Sequence, residues 1–201
     1  MHVLPYTTEV RADTGLTSPK LGIWLFLASE VMLFGSLFSS YALLRTGAAS
    51  WPDQSAVLSV PLATLNTIIL ISSSVTMVLA WTALAPGPQA QNPARFKLYM
   101  GLTLLLGAAF LAVKAIEYGD KFAHGLFPAT NTFLALYFTM TGVHAVHVLV
   151  GMAVNAYLLV SGARMWRTEP ERFANRVEIA GIYWHFVDVV WVFLFPVLYL
   201  L

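Results

Sequence analysis

The sequence has no cysteine and very little charge. Without cysteine there is no disulfide and no thiolate metal site, and the redox compartment leaves no trace in the chain. Charged residues fill 10% of the 201 positions, against roughly 25% in an ordinary soluble domain. The net charge is +1 and no basic block exists, so nothing neutralises a phosphate backbone and nucleic acid is excluded as a partner. An apolar signal-peptide core is missing from residues 1–20, which hold Pro5, Glu9, Arg11, Asp13, Gly15, Pro19 and Lys20. The first membrane helix is therefore expected to act as its own insertion signal. No internal repeat or low-complexity tract occurs, which argues against an inverted-repeat transporter.

What the chain has is apolar length. Hydrophobic residues make up 58% of it, and the mean hydropathy is +0.72. Five apolar runs, at 21–44, 60–84, 98–115, 132–160 and 179–201, approach or exceed the ~20 residues that cross a ~30 Å hydrocarbon core. The expected fold is all-α, a polytopic membrane protein with five transmembrane helices whose core is helix-on-helix contact in lipid. Residues 1–20 form an N-terminal segment and 21–201 one membrane domain. Loops are expected at Trp51-Pro52-Asp53, Pro86-Gly87-Pro88-Gln89, His124-Gly125 and Thr168-Glu169-Pro170-Glu171-Arg172. Eight of the eleven lysines and arginines fall on the side of the N-terminus and the second and fourth loops, and three on the other. The N-terminus is thus expected in the cytoplasm and the C-terminus outside.

The polar residues at membrane depth carry the information, because each needs a partner there. Glu30 lies roughly 14 Å into the first run at ~1.5 Å per residue, with Ser29 as its polar neighbour. It is either bonded to a neighbouring helix or proton-handling. Asn66 and Thr67 in the second run read as contacts that join helices. Lys114 and Glu117, three apart at the end of the third run, read as an interfacial ion pair with a snorkelling lysine; an inward Glu117 would instead join the buried polar set. His144 and His147 share a helix face, with Gly142 and Gly151 allowing close packing nearby. In the last run Tyr183-Trp184-His185-Phe186-Val187-Asp188-Val189-Val190-Trp191 sets His185 and Asp188 on one face. Three histidines and several carboxylates make a membrane metal protein conceivable. The spacing is His-x-x-His and His-x-x-Asp, however, and not the Glu-x-x-His of di-metal bundles. A buried imidazole–carboxylate network with no metal is the expected outcome. A proton-coupled transporter relaying through Glu30 and Asp188 lacks the broken helices it needs.

These pieces resemble the cytochrome c oxidase subunit III family, in its five-helix form, over nearly the whole chain. The carrying residues are Ser29-Glu30, Leu65-Asn66-Thr67, Glu117-Tyr118, the stretch Thr141-Gly142-Val143-His144-Ala145-Val146-His147-Val148 with Gly151, and Tyr183 to Phe195 with Trp184 and Trp191. One departure is that Val143 and Ala145 flank the first histidine where Phe and Gly are common. The resemblance implies a subunit with no heme or copper of its own, packed on the catalytic subunit I that holds both. It implies bound phospholipid, support of proton uptake, protection during turnover, and a bacterial-type plasma membrane. Glu30 matches the family's buried, carbodiimide-reactive glutamate. The reaction implied for the complex is reduction of O2 to water with proton pumping, fed by cytochrome c. A quinol oxidase and the accessory subunit of nitric oxide reductase are the alternatives.

Overall fold

The chain is described by a computed structural model, which covers residues 11, 12, 14–54, 57–84 and 92–201. The Pro86-Gly87-Pro88-Gln89 turn and most of the N-terminal segment lie outside the described residues. Five helices form, α1 (Ser18–Gly47), α2 (Val60–Thr82), α3 (Pro93–Ala123), α4 (Thr132–Thr168) and α5 (Pro170–Phe195), and a single π-turn (Pro196–Leu200) closes the chain. All five are long and apolar enough to cross a membrane. In hydrocarbon a helix satisfies its own backbone, so apolar length alone dictates this outcome.

The helix starts are written in proline and asparagine. α1, α2, α3 and α5 each have proline in the first two positions, where the missing N–H breaks no hydrogen bond. Asn92 caps α3 by accepting from the amides of Ala94 and Arg95, both at 3.1 Å, and Asn131 caps α4 by accepting from Leu134 at 2.8 Å. Gly125, at φ 72°, turns the chain after α3. The fourth loop is shorter than the sequence suggests. α4 runs to Thr168 and α5 starts at Pro170, so Pro170 opens a helix and only Glu169 separates the two.

α5 is the hub, packing against α1, α2 and α4, while α3 packs between α2 and α4. The large residues Trp184 and Trp191 are fully buried, and each indole N–H is met by a hydroxyl on α2. Trp184 donates to Ser73 at 3.1 Å and Trp191 to Thr67 at 3.0 Å. Asn66 donates to the Phe110 carbonyl at 3.3 Å, tying α2 to α3. Asn66, Thr67, Trp184 and Trp191 thus all join helices. α1 is held more lightly, burying only Leu27, Phe34 and Tyr41.

The two α4 glycines differ. A Cβ on Gly151 would lie 2.8 Å from the Trp184 ring, so glycine is what lets α5 approach. A Cβ on Gly142 would meet nothing closer than the Tyr118 hydroxyl at 4.0 Å, so the expected tight packing at Gly142 is not found. A Cβ on Gly107 of α3, which the sequence did not single out, would likewise lie 3.0 Å from the Trp184 ring. Gly151→Ala should therefore destabilise the protein by about 1–3 kcal/mol, the usual range for overpacking a core. Gly142→Ala should leave it within about 0.5 kcal/mol of the parent. Thermal unfolding of the two variants in mild detergent checks the difference.

Candidate functional site

Polar groups at membrane depth gather in three places rather than in one network. The first is at the far end of α3. Lys114, Glu117 and Lys121 are each buried, with 3–5% of their surface exposed. Lys114 does not snorkel, contrary to the sequence expectation, because its end is the more strongly satisfied inside. Its ammonium donates to Glu117 at 2.8 Å, to Tyr199 at 2.8 Å and to Tyr137 at 3.1 Å. The two phenols pass the interaction on, donating to Glu117 Oε1 at 2.9 Å from Tyr137 and 2.8 Å from Tyr199. Lys121 lies 3.5 Å from the same carboxylate and donates to the Val57 carbonyl at 3.1 Å. One carboxylate so binds α3, α4, the π-turn and the α1–α2 loop, with aromatic faces covering Lys114.

The second place joins α1 to α4. Glu30 Oε2 is 2.8 Å from His147 Nε2, and both side chains are about 15% exposed. The other ring nitrogen fixes the proton count. His147 Nδ1 lies 2.8 Å from the Val143 carbonyl, and a carbonyl only accepts, so Nδ1 carries a hydrogen. The contact between Nε2 and the carboxyl then holds a single proton, either as carboxylic acid donating to imidazole or as imidazolium donating to carboxylate. Beside this pair a groove of about 450 Å³ runs between α1, α4 and α5, lined by Ile23, Phe26, Val150, Val154 and Tyr183, with Arg176 in its wall.

The third place is the seam between α2 and α5. His185 Nδ1 is 2.5 Å from the Ser74 hydroxyl. Asp188 is buried one turn further along α5, and neither of its oxygens has a hydrogen bond among the described residues. His185 and Asp188 therefore share a helix face without bonding to each other.

His144 belongs to none of these. It is wholly buried, its ring 5.6 Å from that of Phe110 and 5.1 Å from that of Trp191, and neither nitrogen has a partner among the described residues. The expected common network of Glu30, Glu117, His144, His147, His185 and Asp188 is thus divided. No group of three or more His, Asp or Glu side chains that could hold a metal ion occurs among the described residues. Sequence reasoning missed Tyr137, Tyr199 and Lys121. Tyr199 left a signal, a phenol in the otherwise apolar stretch after Trp191.

A family model described as cytochrome c oxidase subunit III matches residues 7–201. The chain belongs to that family. Relatives include the cytochrome c oxidase subunit 3 of Bacillus sp. (strain PS3), 34% identical over 197 residues, covering 98% of this chain and 92% of the relative. The subunit 3 of the cytochrome bo(3) ubiquinol oxidase of Pseudomonas aeruginosa is 34% identical over 181 residues, covering 90% and 83%. The cytochrome c oxidase subunit 3 of Thermostichus vulcanus is 36% identical over 186 residues, covering 90% and 86%. As a heme-copper oxidase subunit III, the chain is a multi-pass membrane protein and a component of a terminal oxidase.

The Lys114–Glu117–Lys121 cluster carries one more positive than negative group. Glu117→Gln leaves two buried ammonium groups with no anion, and should cost about 3–5 kcal/mol. Lys114→Met leaves a balanced Lys121–Glu117 pair and should cost clearly less. Equilibrium unfolding in mixed detergent micelles orders the two variants.

Proposed function

We propose that this chain is the non-redox subunit III of a proton-pumping terminal oxidase, packed on the catalytic subunit in a bacterial plasma membrane with its N-terminus in the cytoplasm. Its part is to stabilise the complex, to hold phospholipid and to sustain proton uptake, while electron transfer and O2 chemistry take place in the partner subunits. The observation that carries this reading is the Glu30–His147 pair. A single shared proton keeps the pair neutral overall wherever that proton sits, so a titratable group persists at membrane depth without an isolated charge. The apolar groove beside it suits acyl chains, and Arg176 in its wall supplies a cation for a headgroup phosphate.

Cytochrome c is the proposed electron donor, and quinol is the second reading. The Pseudomonas aeruginosa relative is named a ubiquinol oxidase subunit at the same 34% identity as the Bacillus one. Purification through a tag on this chain in mild detergent should bring down reduced-minus-oxidised heme bands together with copper. Oxidation of reduced cytochrome c by that material supports the first donor, and oxidation of quinol alone supports the second. Stoichiometric metal staying with the isolated chain sinks the accessory-subunit reading.

The lipid role has its own check. Val154→Trp places an indole in the groove, and should lower the phospholipid retained per complex by about one molecule while leaving the heme spectrum unchanged. Quantitative lipid mass spectrometry of the purified complex measures it.

A further inference from the structure

We infer that the α2–α5 seam receives a transmembrane helix of another oxidase subunit, and that His185 sets its register through a hydrogen bond from or to Nε2. The inference rests on the accessory-subunit reading and assigns it a surface.

Exposed leucine or valine says nothing in a protein surrounded by lipid, since lipid covers such side chains as well as a protein does. Polar groups discriminate, because lipid cannot serve them. Glu30 and His147 serve each other on the α1–α4 side. On the α2–α5 side, His185 uses only Nδ1, on Ser74. Its Nε2 makes no hydrogen bond among the described residues, and the ring is only partly buried. Imidazole has a donor or an acceptor on each nitrogen, so one polar valence of a partly exposed ring is left unserved by this chain, near the middle of the 170–200 helical span.

The geometry around it is that of a helix seat. Thr67, Ile71, Ser74 and Val78 of α2 follow helical spacing along one flank, and Ile182, His185, Val189 and Val192 do the same along α5. Hydrogen bonds from Trp191 to Thr67 and between Ser74 and His185 hold the two flanks together. The occupant is therefore a helix with an apolar face interrupted by one hydroxyl or amide at the depth of His185. A lipid chain fills the apolar rows but leaves Nε2 unmet.

The absence of native cysteine makes the test direct. Ile71→Cys and Val189→Cys, 47% and 51% exposed, are compared with Met32→Cys on α1, 76% exposed. Each is labelled with a benzophenone maleimide in the assembled complex in native membranes and irradiated. Adducts from 71 and 189 to another oxidase subunit, several-fold above those from 32, are the expected result. Adducts from 32 only, lipid alone at 71 and 189, or a second copy of this chain at those positions would each overturn the assignment. His185→Leu should weaken retention of the heme-bearing subunits by about 3- to 20-fold, the span of a single interhelical hydrogen bond in a membrane, and His185→Gln should recover part of it. Ser74→Ala loosens the aim of His185 but keeps Nε2, and should weaken retention clearly less than His185→Leu does. Equal loss with Ser74→Ala means that His185 acts only within the chain, and defeats the inference. If the unaltered chain retains no heme protein, the accessory-subunit reading itself fails and takes the inference with it. Retained heme with adducts from 32 alone defeats only the seam.

Discussion

A carboxylate in hydrocarbon has no solvent to bond with, and much of this bundle is arranged around that constraint. Glu117 meets it with the most partners, since two lysines and two tyrosines converge on it from three elements. Satisfying one acid therefore fixes where α3, α4 and the chain's last turn lie relative to each other. Pro196 contributes by lacking an N–H. The helix loosens into a π-turn there, which carries Tyr199 to the carboxylate. Trp184 and Trp191 apply the same rule to α2 and α5, each bringing an indole N–H that only a hydroxyl on the neighbouring helix can meet.

The fold was largely legible because apolar length is a one-dimensional property. All five expected runs appear as helices, most of them extended by several residues where polar sequence continues the helix beyond the hydrocarbon. Thr168-Glu169-Pro170 misled because proline marks a break from one side and a helix start from the other. The sites were less legible, because pairing is decided by which helix faces which. Nothing in the sequence joins Glu30 to His147, 117 positions away. Lys114 was misread for a related reason. A lysine near a span end has two ways to satisfy itself, and only the presence of Tyr137 and Tyr199 from distant helices decides for the interior. Gly142 and Gly151 looked alike in sequence, and differ only because Trp184 lies across one of them.

Sorting the polar groups by helix pair also sorts the roles of the surface. The α1–α4–α5 side is self-sufficient in polar terms and adjoins an apolar groove. The α2–α5 side is structurally continuous but chemically unfinished at His185. The end bearing Glu117 is neither, being fully engaged within the chain. For the accessory subunit proposed above, this division suits a body with one side towards lipid, one towards a protein partner, and a rigid end.

The separation of partners along the chain bears on synthesis. Glu117 enters the bilayer with Lys114 and Lys121 on its own helix, so its neutralisation travels with it. Glu30 does not have that advantage. α1 reaches the membrane ahead of α4, and His147 is made 117 residues after Glu30. At roughly 5–20 residues per second, α1 spends on the order of ten seconds with its acid unaccompanied. During that interval the apolar side chains of α1 alone must outweigh the acid, and the nascent helix has reason to linger beside the insertion machinery until α4 arrives.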